Sequence, residues 1–188
     1  KPEPKAETET EGQKPKEKEK EKVERVNVTS VTKIISGGQT GADRAGLYAG
    51  KDLGVETGGV APKGFKTESK SDETERLKGF GLTEVSDDIT KAYTGGEKTY
   101  GPRTEQNVLG SDGTVLFGDE NSSGSKLTKN LASKHKKPYL ANPTAEELRA
   151  WIAENGIKTL NVAGNRYSVN KKLFNTVRST LVEGLSDP

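Results

Sequence analysis

Two groups of glycines and hydroxyl residues precede helical patterns, at positions where a protein could hold a phosphate or another oxyanion. The first is Gly37-Gly38-Gln39-Thr40-Gly41, and the second is Ser122-Ser123-Gly124-Ser125. Glycine lets backbone N–H groups approach a ligand closely, and a helix N-terminus adds unpaired N–H groups with partial positive charge. These residue types therefore indicate two anion-binding loops.

The first loop has a second interpretation, which the sequence leaves open. Thr40 and Asp43 have the spacing of a capping box, so both could serve only to cap the following helix. Asp43 would also weaken the affinity of this loop for an anion, and could instead meet a hydroxyl or amine of a ligand. The loop matches neither the dinucleotide-binding fingerprint nor the Walker A motif.

Cationic and amide side chains lie next to three further strand patterns and are candidates for ligand binding. Lys63 lies in a turn between Pro62 and Gly64, and the final strand pattern is followed by Asn165-Arg166. Arg103 and Asn107 are four residues apart and share one helix face, which suits phosphate or base-edge recognition. An exposed lysine and a solvated helix face are the alternatives for these residues.

Strand-like and helical patterns alternate from about Val26 onward. The runs VTKIIS, VETGGVAP, GTVLFG, PYLAN and KTLNVAG are typical of strands. Between them, RTEQNVLGS, GSKLTKNLASKHK and TAEELRAWIAENG are typical of helices, as is the final NKKLFNTVRSTLVEGL. This alternation predicts a Rossmann-like α/β fold, with an open, mainly parallel sheet and helices on both faces. Ligands of such folds bind at the carboxyl ends of the strands, where the loops named above would meet.

Some element ends are marked by specific residues. Ala42, Ala45, Ala49 and Leu53 have helical spacing, and Gly54 is a C-cap candidate. Thr144 and Glu147 predict a capping box for the helix that Gly156 ends. Residues 64–100 are rich in glycine, threonine and charge, and we expect there a functional loop or elements that the pattern does not reveal.

The composition predicts two regions. Residues 1–25 contain alternating lysine and glutamate and almost no apolar side chains, which predicts a disordered charged tail or linker. It could be a solvated spacer or a segment that becomes ordered on a protein partner. Residues 26–188 form the predicted folded domain.

Several classes of function are disfavoured by composition. The 188 residues include no cysteine and one histidine, His135, in a basic segment that we expect to be a surface loop. A thiol nucleophile, a cysteine metal site and a Ser-His-Asp triad are therefore disfavoured. No apolar run is long enough for a membrane span, so we expect a cytoplasmic protein or a component of a larger particle. The dispersed basic residues and few aromatics do not favour nucleic-acid binding.

The segments SGGQTGADRAGL, GGVAPKGFKTE, RTEQNVLGSDGTVLF and LNVAGNR, in this order, resemble the proposed molybdenum cofactor carrier proteins. That family belongs to the Rossmann-like nucleotide-binding proteins related to lysine-decarboxylase-like and cytokinin-activating proteins. The resemblance covers roughly residues 32–183. It implies a homo-oligomer that binds a phosphorylated pterin, such as molybdenum cofactor, or a nucleotide. The implied pocket consists of Gly37, Gly38, Gln39, Thr40, Gly41, Asp43, Arg44, Lys63, Arg103, Asn107, Ser123, Gly124, Ser125 and Thr128.

Two positions depart from the family pattern. The final motif usually reads roughly NVAGPRES, whereas this chain has Asn165-Arg166-Tyr167-Ser168, and Ser125 stands where a threonine is usual. The resemblance implies no catalytic residue and no metal ligand, which favours a binding protein over an enzyme. A nucleotide phosphoribohydrolase is one alternative, although the second loop lacks the glutamate of such enzymes. A structural or scaffold domain in a larger assembly, such as a virion, is another.

Overall fold

Six parallel strands form the sheet of the computed structural model, which describes residues 25–187. The strands are β1 (Lys33–Ile35), β2 (Glu56–Ala61), β3 (Leu82–Glu84), β4 (Gly113–Phe117), β5 (Tyr139–Ala141) and β6 (Thr159–Gly164). They are arranged in the order β3-β2-β1-β6-β4-β5, and each neighbouring pair is parallel. The predicted α/β fold is confirmed. The predicted tail lies outside the described residues except for its last residue.

Helices cover both faces of this sheet. In the described part of the chain they are α1 (Ala42–Leu53), α2 (Thr74–Gly79), α3 (Asp87–Ala92), α4 (Gly101–Leu109), α5 (Ser123–Lys134), α6 (Ala145–Asn155) and α7 (Leu173–Leu185). Helices α1, α6 and α7 share the main core on one face, and α4 packs against α5 through Val108 and Leu131 on the other. The prediction of helices on both faces is therefore confirmed.

Small residues allow α1 to lie very close to the sheet. Ala42, Ala45 and Ala49 are fully buried against strand residues. A Cβ atom at Gly46 would lie only 2.7 Å from the Cβ of Val162, so a larger side chain would push the helix away from β6. Gly54 ends the helix in the left-handed conformation, as the sequence predicts.

The prediction for α6 is also confirmed at both ends. The Thr144 hydroxyl accepts a hydrogen bond from the backbone N–H of Glu147, whose carboxylate accepts one from the N–H of Thr144. Gly156 adopts the left-handed conformation after the last turn. Leu148 and Ile152 lie on the buried face between these caps, in the main core with α7.

The segment that the pattern left unassigned contains short elements. A single 3-10 turn (Lys63–Phe65) and α2 precede β3, and α3 follows it. Strand β3 has three residues at the edge of the sheet, of which only Leu82 is buried. One buried residue gives no alternation of apolar and polar positions, which explains why the strand has no clear sequence signal.

The order of the strands brings three loops together at the carboxyl end of the sheet. Strand β6 lies between β1 and β4 in the middle of the sheet. The chain continues from β1 to β2 and β3 on one side of β6, and from β4 to β5 on the other side. The loops after β1, β4 and β6 all begin at the carboxyl ends of these neighbouring strands. In open parallel sheets, a ligand crevice usually lies where the strand order reverses in this way.

Candidate functional site

A cavity of about 710 Å³ lies at the carboxyl ends of β1, β6 and β4. Its volume is in the range of pockets that hold cofactors and drug-sized ligands. Nine of the fourteen residues predicted for the pocket line it, namely Gly37, Gln39, Asp43, Arg103, Asn107, Ser123, Gly124, Ser125 and Thr128. The structure therefore brings the two predicted loops and the Arg103 helix face to one space.

The other five predicted residues lie outside the cavity wall. Gly38, Thr40 and Gly41 shape the first loop, and Gly38 and Gly41 have positive φ angles of 76° and 79°. Arg44 is buried behind the loop, where it donates to the carbonyl of Gly38 and pairs with a buried glutamate of the segment before α2. Lys63 is exposed and forms an ion pair with Asp87.

The backbone amides of the first loop are largely occupied within the protein. The N–H of Gly38 donates to the hydroxyl of Ser36, that of Gln39 to Asp43 Oδ2, and that of Thr40 to Gln39 Oε1. This differs from the expectation that the loop presents a row of free amides to an anion. The loop instead contributes side chains to the cavity.

The predicted capping box at Thr40 and Asp43 does not form. Gly41 is the N-cap of α1 and no side chain caps it, while the Thr40 hydroxyl donates to Glu68. The physical reason is that Gly41, with its positive φ, places Thr40 one residue too early to reach the amides of the first turn. Asp43 reaches back to the N–H of Gln39 instead.

Gln39 has a fixed orientation and one unused donor. Its side-chain oxygen accepts hydrogen bonds from the N–H groups of Thr40 and Glu68, at 3.1 and 2.9 Å. Two donors at one atom identify that atom as the oxygen, so the amide cannot be flipped. The Nε2 atom is buried without a hydrogen-bond partner in the described part of the chain, and the residue is 5% exposed. An unpaired buried donor costs free energy.

Arg103 and Asp43 form a buried ion pair at the cavity wall. Arg103 Nη1 donates to Asp43 Oδ2 over 3.0 Å, and the two side chains are 14% and 6% exposed. Burial raises the pKa of the Asp43 carboxyl, and the guanidinium of Arg103 and the N–H of Gln39 oppose this rise only in part. Arg103 Nε is a second buried donor without a partner among the described residues.

Gly37 provides the space in which Arg103 lies. A Cβ atom at Gly37 would be 1.7 Å from Arg103 Nη1 and 2.6 Å from its Cζ. The overlapping atoms belong to the end of the flexible Arg103 side chain, so a side chain at position 37 must displace the guanidinium. The absence of a side chain at Gly37 therefore sets the position of the cation.

The second loop presents the open helix N-terminus that the sequence predicts. Ser122 is the N-cap of α5, and its hydroxyl accepts from the N–H of Ser125 at 3.3 Å. The N–H groups of Ser123 and Gly124 belong to the first turn, where the helix offers no carbonyl partner. Both residues line the cavity, and a helix N-terminus favours an anion there.

Two predicted residues line the cavity but are engaged in the fold. The side-chain amide of Asn107 bonds both the N–H and the carbonyl of Val60, at 2.8 and 2.9 Å, and so fastens α4 to β2. The hydroxyl of Thr128 donates to the carbonyl of Gly124 one turn earlier. Both shape the site through the backbone that they hold.

Three cavity residues had no role in the sequence prediction. The Tyr100 ring has the guanidinium groups of both Arg103 and Arg166 at 5.6 Å from its centre. Glu97 accepts hydrogen bonds from the N–H groups of Tyr100 and Gly101 and closes the start of α4. Tyr100 and Glu97 lie in the segment without a periodic pattern, and only their position next to Arg103 could have indicated them. Asn161, the third, lies within a buried strand, where a polar residue was the available signal.

Glu68 fastens three loops around the cavity mouth. Its carboxylate accepts from the hydroxyls of Thr40 and Ser168 and from the N–H of Ser168, the last at 2.9 Å. Its own N–H donates to Gln39. Partial burial raises the pKa of Glu68, but the hydrogen bonds from Ser168 and Thr40 outweigh this effect and hold the pKa below its usual range. We call this group of contacts the Glu68 clasp.

Outside the cavity, His135 caps the carboxyl end of α5 and its ring nitrogen lies 2.8 Å from Glu105 of α4. The residue expected in a surface loop thus joins two helices.

Within residues 25–187 no cluster of three or more histidine, aspartate or glutamate side chains is placed to bind a metal ion. Helices that combine the length and apolar character needed to cross a bilayer are also absent from this range.

The parallel sheet, with a cavity at its strand ends, defines a Rossmann-like α/β domain. Residues 34–185 match the model of the circularly permutated YpsA SLOG family. The chain belongs to this family. No curated protein matches it.

A crystal structure with the same fold supports the resemblance inferred from the motifs. It is that of a protein from Syntrophus aciditrophicus SB, provisionally named a molybdenum carrier protein. The two chains are 32% identical, and the match covers 84% of this chain and 97% of the other, with a TM-score of 0.69. The predicted relationship to the molybdenum carrier proteins is therefore confirmed.

Proposed function

We propose that the protein binds a phosphorylated small molecule, either a pterin such as molybdenum cofactor or a nucleotide, in the cavity at the strand ends. The observation that carries this proposal is that the open N-terminus of α5 and the Arg103 side chain line one cavity. The first-turn amides of Ser123 and Gly124 have no carbonyl partner within the helix. Such donors beside a cation, in a cavity of ligand size, are what an anionic ligand requires.

The phosphate would be held at the N-terminus of α5. The amides of Ser123 and Gly124, together with the partial positive charge of the helix end, form a site for an oxyanion. The exposed Arg166 lies at the same cavity and adds a second cation. The backbone amides of the first loop are occupied within the protein. The loop would therefore contribute the side chain of Gln39 and, at Gly37, the space that the Arg103 guanidinium fills.

The ring system of such a ligand would lie beside Tyr100. An aromatic ring flanked by two guanidinium groups offers flat surfaces on which a heterocycle can stack. If the cargo is molybdenum cofactor, the residues present fit its phosphate and ring. The metal would arrive with the cofactor, since the described residues contain no cluster of metal ligands.

The cavity carboxylates support binding better than hydrolysis. Asp43 is engaged by Arg103 and by the N–H of Gln39, and Glu97 accepts from the backbone at the start of α4. Neither is a free acid placed against a phosphoribosyl bond. Release of free base from a nucleoside monophosphate would be the result that favours the phosphoribohydrolase alternative.

A single amide deletion tests the phosphate site. Ser123 is the first residue of α5 and follows Ser122, whose ψ of 152° is compatible with a following proline. The Ser123→Pro variant therefore removes one N–H and leaves the helix intact, whereas Ser123→Ala keeps that N–H. We expect proline to weaken binding of AMP, IMP or a pterin monophosphate by roughly tenfold or more in calorimetric titrations, and alanine to change it little. Equal affinities in the two variants would refute the phosphate site, and binding of none of these ligands to the wild type would refute the proposed function.

A further inference from the structure

We propose that Asn165 is a positioning residue for the bound phosphate, which acts by holding the Ser122 hydroxyl and with it the first turn of α5. This inference rests on the proposed function and deepens it, because it names the residue that keeps the phosphate site in place. The observations that carry it are the hydrogen bonds of Asn165, the fixed orientation of its amide, and a glycine that leaves room for its side chain.

The backbone of Asn165 is held between two of the loops around the cavity. The residue follows β6 directly, lines the cavity and is 7% exposed. Its N–H donates to the carbonyl of Phe117, the last residue of β4, over 3.1 Å. Its carbonyl accepts from the N–H of Ala42, the first residue of α1, also over 3.1 Å. The Asn165 side chain therefore starts from a backbone that is fixed to both β4 and α1.

The orientation of the Asn165 side-chain amide is set by its two partners. Oδ1 accepts from the backbone N–H of Asp119 at 2.6 Å, and Nδ2 lies 3.3 Å from Ser122 Oγ. A backbone N–H only donates, so the atom that faces Asp119 is the oxygen and the atom that faces Ser122 is the nitrogen. The amide nitrogen also only donates, and the Ser122 oxygen must therefore accept from it.

This contact sets the direction of the hydrogen bonds at the start of α5. Ser122 Oγ accepts from Asn165 Nδ2 and from the N–H of Ser125, each at 3.3 Å, and donates its proton to Ser125 Oγ at 2.8 Å. A hydroxyl has one proton and two lone pairs, and all three are used here. Ser122 is thereby held as the N-cap that takes the amide of Ser125, and the amides of Ser123 and Gly124 remain for a ligand.

Gly118 provides the space in which the Asn165 amide lies. A Cβ atom at Gly118 would be 2.2 Å from Asn165 Oδ1 and 2.7 Å from its Cγ. Gly118 also has a φ angle of 111°, which side chains other than glycine rarely adopt. A larger residue at position 118 would displace the amide from the loop between β4 and α5, so this loop accommodates the Asn165 side chain specifically.

The contribution of the phosphate to ligand affinity is the quantity that a positioning role predicts to change. It is the ratio of the affinities for a phosphorylated ligand and its dephosphorylated form, with AMP and adenosine, IMP and inosine, or a pterin monophosphate and the dephosphorylated pterin as pairs. We expect Asn165→Ala to lower this ratio about tenfold in calorimetric titrations, because the first-turn amides of α5 lose their fixed position. A loss of fold stability alone would weaken both members of a pair and leave the ratio unchanged.

The Ser122→Gly variant shows whether Asn165 acts through the N-cap. Glycine removes the hydroxyl that Asn165 contacts, but is itself well tolerated at an N-cap. We expect Ser122→Gly to lower the ratio about as much as Asn165→Ala does. Addition of Asn165→Ala to Ser122→Gly should then lower the ratio by less than about twofold, since the contact through which Asn165 acts is already absent. A direct contact of Asn165 with the ligand would instead give the same loss with and without the Ser122 hydroxyl.

Asn170→Ala is the matched control. Asn170 lies a few residues further along the same segment, outside the cavity wall. Its side-chain oxygen also accepts from a backbone N–H, that of Lys172, at 3.1 Å. The control therefore removes an amide with a comparable bond to the backbone, and we expect the wild-type ratio in this variant.

Each outcome decides the inference. An unchanged ratio in Asn165→Ala, or an equal loss in the presence and absence of the Ser122 hydroxyl, would overturn the positioning role and leave the phosphate site in place. Failure of the wild type to bind any of the three phosphorylated ligands would overturn the proposed function, and the positioning role with it. A loss in Asn165→Ala that depends on the Ser122 hydroxyl, and that Asn170→Ala does not show, would establish the positioning role.

Discussion

Arg103 of α4 donates a 3.0 Å hydrogen bond to Asp43 of α1, and so joins the two helix layers across the end of the sheet. The residues are 60 positions apart in the chain, and each is largely buried. Neither charge could remain there alone, since an unpaired buried charge is strongly destabilising. The ion pair therefore fixes a cation at the cavity wall in the absence of ligand.

Removal of the cation should weaken ligand binding. We expect Arg103→Ala to reduce the affinity for a phosphorylated ligand by about 1.5–3 kcal/mol, the usual contribution of a charge-assisted hydrogen bond. Calorimetric titration against the wild type measures this difference. Unchanged affinity would exclude Arg103 from the binding site.

Gly37→Ala should have the same effect as Arg103→Ala without any change of charge. The added Cβ would overlap the guanidinium, which must then leave its place beside Asp43. We expect a loss of affinity close to that of Arg103→Ala. Gly79→Ala is the control, because no atom lies within 4 Å of a Cβ built there. Wild-type affinity in Gly37→Ala would show that the position of the guanidinium is not needed.

The raised pKa of Asp43 predicts a specific dependence of stability on pH. Burial raises the folded-state pKa above the unfolded value, so the folded state binds more protons between the two values. The contribution of Asp43 to folding stability should therefore fall as the pH rises from about 4 toward the folded-state pKa, by about 1.4 kcal/mol for each pKa unit of the shift. An asparagine side chain has no such titration, so the stability of Asp43→Asn relative to the wild type should increase over this range in denaturant unfolding. A constant difference between the two proteins would contradict the raised pKa.

The Glu68 clasp should control local rather than global stability. Glu68→Gln keeps the shape of the side chain but loses the charge that strengthens the hydrogen bonds from Thr40 and Ser168. We expect faster amide hydrogen exchange in residues 166–170, with the free energy of local opening of this segment lowered by about 1–2 kcal/mol. The lowered pKa also means that the clasp is lost as the pH falls through the folded-state pKa, so acid should have the same local effect in the wild type.

The exposed Glu75 of α2 provides the control for the clasp. Its replacement by glutamine changes the net charge equally, without touching the loops around the cavity. We expect wild-type exchange in residues 166–170 of Glu75→Gln. Equal exchange in the two variants and the wild type would mean that the clasp does not hold this segment.

Asn165 uses contacts that the proline usual at this position cannot make. Its N–H donates to the carbonyl of Phe117, its side-chain oxygen accepts from the N–H of Asp119 at 2.6 Å, and its Nδ2 donates to Ser122 at 3.3 Å. We expect Asn165→Pro to reduce the free energy of unfolding by about 2–4 kcal/mol, because it removes three hydrogen bonds of a residue that is 7% exposed. Thermal unfolding of this variant measures the effect, and an unchanged midpoint would show that these bonds contribute nothing.

The elements with strong local signals are those that the sequence predicts. Helix α6 is marked by its capping box, and α1 by three alanines that are buried against the sheet. Strand β3 and helices α2 and α3 are too short for a period to emerge, and β3 is held by its pairing with β2. The short elements therefore need the tertiary structure for their assignment.

The site was predictable in position but not in detail. Glycine and serine loops next to strands indicated which edge of the sheet to examine. The hydrogen bonds that occupy the first-loop amides depend on Asp43 reaching back to Gln39, and the ion pair with Arg103 depends on how two helix layers meet. The ion pair joins distant parts of the chain and so leaves no pattern in a single sequence. Oligomerisation, the role of residues 1–25 and the domain boundary at residue 26 stay predictions.

Native mass spectrometry of the purified protein, before and after denaturation, tests the central claim most directly. We predict that the wild type carries a phosphorylated small molecule, which is released on denaturation, and that Ser123→Pro and Arg103→Ala carry less of it. Its mass would identify the ligand as a pterin cofactor or a nucleotide. A wild-type protein that is empty, and that gains no thermal stability from AMP, IMP or a pterin monophosphate, would contradict the claim.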